Sequence, residues 1–106
     1  MIGQQTIHTI ADRIFAATPQ GTRIIVFGSV ARGTARAGSD LDLLVVEPEQ
    51  QNHYQEAGRL YRLMRGIKTP VDIIVTDSAT FDAWKDTPCT VFNEACREGV
   101  VLGEPT

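Results

Sequence analysis

The chain has 106 residues, 42% of them hydrophobic and 22% charged, which is the composition of an ordinary globular protein with one modest core and is read as a single domain over residues 1–106. A net charge of −3 and a pI near 5.2, with no basic stripe, argue against broad electrostatic binding to a nucleic-acid backbone. No apolar run reaches membrane length, and the start, Met1-Ile2-Gly3-Gln4-Gln5, lacks the basic and apolar regions of a secretory signal, which points to the cytoplasm.

Taken in order, residues 6–17 place Ile7, Ile10, Ala11, Ile14 and Phe15 at helical spacing and predict an amphipathic helix ending before Thr18-Pro19-Gln20-Gly21. His8 lies on it without a partner and is given no role. Ile24 to Phe27 then reads as a buried strand that stops at Gly28-Ser29, a small-residue turn leading into a segment with Arg32 and Arg36. After Gly38-Ser39 a second strand, Leu41 to Val46, opens with Asp40 and Asp42, which in extended backbone share a face about 7 Å apart. Two carboxylates at one strand end repel each other and resist burial, so they call for a cation; oxygen donors of this kind suit magnesium or manganese. The Gly28-Ser29 turn is complementary to an anion, because glycine lets backbone come close and free N–H groups attract phosphate oxygens. Arg32 adds a fork of donors. Arg23 reads as a solvated charge, while Arg36 stays open between solvent and site.

Glu47 to Asn52 is polar and turn-like, and Ala57, Leu60, Tyr61, Met64 and Ile67 then repeat with helical period up to Gly66, predicting a crossover helix. On it Arg59, Arg62 and Arg65 read as a solvated flank, and Tyr54 and Tyr61 as packing residues. A third strand, Val71 to Val75, follows Pro70 and is interrupted by Asp72, either an exposed strand-end acid or a member of a site. Thr76-Asp77-Ser78 reads as a helix start, and Thr87-Pro88 as a second with proline at the first helical position. Phe81 and Trp84 read as core, and Val91, Phe92, Ala95 and Cys96 as the inward stripe of the last helix. Gly99 is placed to end that helix before a short strand at Val100-Val101-Leu102. Cys89 and Cys96 lack any Cys/His zinc spacing and read as buried or free thiols. The order of elements predicts an α/β sandwich on a small mixed sheet, without fixing its strand order.

Two other phosphate motifs fail. Gly28 and Gly33 have the spacing of a P-loop, but Thr34 stands where its lysine is required, and no Gly-x-Gly-x-x-Gly occurs. What the stretch does resemble is the DNA polymerase beta-like nucleotidyltransferase signature: Gly28-Ser29, ten residues, then Asp40-Leu41-Asp42. The fuller Gly-Ser-x-Ala-Arg-Gly and Ser-Asp-x-Asp-Leu are similar to the minimal nucleotidyltransferases of bacteria and archaea, and Asp72 stands where that family places a third acid.

The resemblance implies the polymerase beta-like fold, with Asp40 and Asp42 on one strand, Asp72 on its neighbour, and all three facing the Gly28-Ser29 turn. It implies two magnesium ions held by Asp40, Asp42 and Asp72, with Asp72 also placed to take a proton. It implies an ATP triphosphate held by Gly28, Ser29 and Arg32, and transfer of AMP to a hydroxyl. Minimal nucleotidyltransferases are commonly paired with helical HEPN ribonuclease toxins, so the resemblance further implies an antitoxin that adds AMP to such a partner, in a hetero-oligomer, with neither membrane nor direct nucleic-acid binding. A short chain leaves little surface for an acceptor, which suits a partner that brings its own. Two alternatives remain at this point: a binding module acting by contact alone, and an enzyme for a small hydroxylated molecule such as an antibiotic.

Overall fold

The computed structural model describes residues 3–36 and 38–102. Helix α1 spans Gln4–Ala17 and ends where Thr18 turns to extended backbone. Then come strand β1 (Arg23–Phe27), the one-turn helix α2 (Gly28–Arg32), strand β2 (Leu41–Glu47), helix α3 (His53–Arg62) and strand β3 (Val71–Asp77). Helices α4 (Ser78–Trp84) and α5 (Val91–Glu98) and the short strand β4 (Val100–Val101) complete the order.

Among the described residues the strands form one mixed sheet in the order β3-β2-β1-β4. β2 and β3 run parallel, which requires the crossover that α3 supplies, while β1 pairs antiparallel with β2 and with β4. The near-continuous apolar run of β2 follows from its central place, since both of its faces are covered. Leu41, Leu43 and Val45 pack on one face with Ile10 and Ile14 of α1 and Leu60 of α3. Leu44 and Val46 point the other way, onto Phe81 of α4 and Ala95 of α5. The period of two along β2 thus sorts four helices into two layers around the sheet, the α/β sandwich that the order of elements predicts.

Several local expectations are corrected. α3 stops at Arg62 rather than Gly66, because the next turns tighten: Leu63 N–H bonds Leu60 O and Met64 N–H bonds Tyr61 O, both at 3.0 Å. Arg13 on α1 donates to Leu63 O and Arg65 O at 2.8 Å each, satisfying carbonyls that this ending exposes. α5 begins at Val91 rather than at Pro88, since Cys89 takes a left-handed φ of 66° and the Thr90 hydroxyl accepts the Asn93 N–H as the cap. Cys96 therefore faces solvent instead of the core, and both cysteines are exposed free thiols. Trp84 and Tyr54 are also exposed, Tyr54 at 94%. Arg23 is stacked over the Phe81 ring, 5.3 Å from its centroid, rather than simply solvated.

The largest departure is at Glu47. Expected in a polar turn, it is the last residue of β2 and is 2% exposed. Nearby, Arg59 holds buried Glu56 through two 2.7 Å bonds and donates to Ala17 O, so it is a structural tie and not part of a solvated flank. Among the described residues no helix is long and apolar enough to cross a membrane.

Candidate active site

β1 delivers its chain directly into the site. Phe27 is still extended, and Gly28 then adopts a φ of 73°, open to glycine at little cost, to start α2. The sequence Gly-Ser makes this abrupt turn possible. Opposite Phe27 in the antiparallel register stands Asp42, and a Cβ on Gly28 would fall inside van der Waals contact of Asp42 Oδ2. Both the backbone angle and the missing side chain are therefore used. Phe27, the residue that precedes α2, gives it no side-chain cap, as a phenyl ring cannot accept for the first N–H groups. Its far end closes at Gly33, and Thr34 N–H returns to Ser29 O at 2.9 Å.

Replacing Gly28 by alanine should cost about 1–2 kcal/mol for the left-handed backbone alone and displace the Asp42 carboxylate. Urea unfolding reads the first effect, and a loss of nucleotide binding larger than that of a Gly33→Ala control reads the second, because among the described residues nothing lies within 4 Å of a Cβ at Gly33.

Asp42 is paired laterally with Asp72 in the parallel register of β2 and β3. It is half-buried, and its pKa is raised above the ordinary carboxylate value, first by burial, then by Asp72, Asp40 and Glu94, with Arg32 opposing. Asp40 lies ahead of the strand, exposed, after a turn in which Ser39 Oγ accepts the Arg36 N–H at 2.8 Å. Asp72 is exposed at the start of β3, not buried within it. The three acids thus lie at one end of the sheet, Asp40 and Asp72 exposed and Asp42 half-buried. Arg32 is not a free fork: its Nη1 meets Glu98 Oε2 of α5 at 3.3 Å. The charge of Glu94, which sequence reasoning missed, is felt by Asp42 because α5 packs against β1 and α2, and its helical position gives no sign of that. A groove of about 450 Å³ runs along α5 past Glu94, Arg97 and Glu98.

The donor set fits a divalent cation. Burial first, and the neighbouring carboxylates after it, disfavour the charge on Asp42, and a bound cation would oppose both. Among the described residues no three ligating side chains close into a finished cage. Magnesium does not need one, since one or two carboxylates serve it alongside waters and substrate phosphates.

Comparison with known proteins bears on the family and the fold. The family model described as a nucleotidyltransferase domain matches residues 8–93, which contain the Gly28-Ser29 turn and all three acids. The fold is similar to a crystal structure assigned as a nucleotidyltransferase from Sulfolobus solfataricus, with a TM-score of 0.63 and 23% identity over 97% of this chain and 90% of that one. It is also similar to a toxin-antitoxin structure with AMP-PNP, at a TM-score of 0.66 and 20% identity over 93% of this chain and 73% of that one. A search of curated proteins gave no significant match. On the family match, supported by the motif and the shared fold, the chain belongs to the nucleotidyltransferase domain family.

Proposed function

We propose that the chain transfers AMP from ATP to a hydroxyl on a partner protein, as the antitoxin of a HEPN-type ribonuclease toxin, with divalent metal and in the cytoplasm. The observation that supports the transfer chemistry best is the contact of Gly28 with Asp42, beside Asp72 and Asp40. In this reading the open N–H groups after Gly28 and the Ser29 hydroxyl bind beta and gamma phosphate oxygens. Arg32, stationed against Glu98, stabilises the charge of departing pyrophosphate. Asp40, Asp42 and Asp72 would hold two magnesium ions, which when bound supply charge neutralisation of the triphosphate and activation of the acceptor hydroxyl. In the same reading Asp72, the exposed acid on β3, takes the acceptor's proton as the acceptor's oxygen bonds to the alpha phosphorus and the bond to pyrophosphate breaks. The partner assignment is supported by the resemblance to minimal nucleotidyltransferases and by the fold shared with a toxin-antitoxin structure.

The test is ATP labelled at the alpha phosphate, incubated with magnesium, this protein and a purified candidate toxin. Label on the toxin, lost with a chelator and in the Asp40→Asn, Asp42→Asn double variant, is the expected result. A second reading, neutralisation by contact, is favoured by the pairing of Arg32 with Glu98, which leaves less of that guanidinium for a phosphate. Neutralisation that survives in the double variant without any label would establish it and displace the first.

A further inference from the structure

Tyr61 is the surprise of α3. Instead of being buried, the residue is 41% exposed on the last turn of the helix. Its hydroxyl oxygen lies 2.7 Å from Ile73 N and 3.2 Å from Asp72 Oδ1. A backbone N–H can only donate, so the tyrosine oxygen accepts from Ile73, and its own proton is free for the Asp72 carboxylate, which can only accept when ionised. The direction of both bonds is thereby fixed. β3 is an edge strand, and the hydroxyl is held at that edge by a main-chain group rather than by a mobile side chain.

From this geometry we infer that Tyr61 is a positioning residue: its hydroxyl orients Asp72 toward the divalent cation of the proposed site. The inference rests on the nucleotidyltransfer reading in taking Asp72 as a ligand. Asp72 is exposed and at a strand start, where a carboxylate otherwise samples several rotamers. Donation to Oδ1 restricts it and leaves the other oxygen's lone pairs for a cation. Partners of this kind, one bond removed from the metal, typically change metal affinity by about 10- to 100-fold when removed.

The experiment measures Mn²⁺ binding in the presence of AMP-PNP, by the electron paramagnetic resonance signal of free Mn²⁺, for the wild type, Tyr61→Phe, Asp72→Asn and the double variant. Tyr61→Phe keeps the ring and should weaken Mn²⁺ binding about 10-fold, with a melting temperature close to that of the wild type. In Asp72→Asn the second substitution should add no further loss, because the hydroxyl then has no carboxylate to orient. Tyr54→Phe, on the exposed face of the same helix, should bind as the wild type does. Equal Mn²⁺ binding by Tyr61→Phe and wild type, or losses that multiply in the double variant, would overturn the inference. So would unfolding of Tyr61→Phe, which would make the hydroxyl a structural tie. Failure of the wild type itself to take up Mn²⁺ with nucleotide is a separate outcome, and it removes the transfer reading along with the positioning role.

Discussion

Asp42→Asn is expected to lower nucleotidyl transfer by about 10²- to 10³-fold while leaving the melting temperature equal to or above that of the wild type. The two halves of this expectation have one cause. Burial and the neighbouring Asp72, Asp40 and Glu94 raise the Asp42 pKa, so the ionised form is disfavoured in the folded chain relative to the unfolded one. The sign follows from linkage: a raised carboxyl contributes stability that is present below its unfolded value and is lost as pH rises through its folded value. At neutral pH the carboxylate is therefore a burden on the fold, and asparagine removes the charge with little change in shape. The same charge is what a divalent ion would use. Thermal melts beside the alpha-phosphate labelling assay separate the two effects; activity and melting temperature falling together would make Asp42 a structural residue and refute the expectation.

The part of this site carried by short-range pattern was legible in the sequence. Gly28-Ser29 announces a sharp turn, and Asp40 and Asp42 stand out against the apolar run they introduce. The sheet faces were legible too, because alternation along β2 and the helical period of α1 are written in consecutive residues. What failed depends on neighbours far along the chain. Nothing local separates Glu47 from the polar turn that follows it, yet register with Asp77 places it inside the sheet. Arg59 resembles Arg62 and Arg65 in spacing, but only Arg59 finds Glu56 and the end of α1. Tyr61 has a helical packing position, and its hydroxyl turns it to another use only because β3 passes beside it. Glu94 adds to the charge felt by Asp42 from a helix 52 residues downstream, as their numbering gives. Burial of a charged residue and membership of a site built from distant elements are tertiary facts, and propensity does not contain them.

At the other end of β2 the protein should carry a stability switch that owes nothing to the active site. Glu47 is 2% exposed, and its Oε2 has no hydrogen-bond partner among the described residues, a costly state for a carboxylate. A proton resolves it. Burial and the Glu56 carboxylate, to which a protonated Glu47 donates, push the Glu47 pKa up to about 8, with Arg59 and Gln50 opposing. Glu56 is lowered, chiefly by its bonds from Arg59, so the pair holds one proton and one charge. Because the folded value of Glu47 lies above the unfolded 4.5, the folded chain binds the extra proton between these limits, and stability from this group falls as pH rises from about 4.5 to about 8. Above that window the loss is complete. Glu56, shifted the other way, acts only in more acid solution. Glu47→Gln keeps a donor toward Glu56 without a titrating proton, so its urea midpoint should resemble that of the wild type near pH 5. By pH 9 it should exceed the wild type by roughly 2–4 kcal/mol of stability. Nucleotidyl transfer at neutral pH should be unchanged, since Glu47 lies about 17 Å along the strand from Asp42. A wild-type midpoint that is flat between pH 5 and 8, or a Glu47→Gln profile with the same slope, would show that the buried pair holds no shared proton.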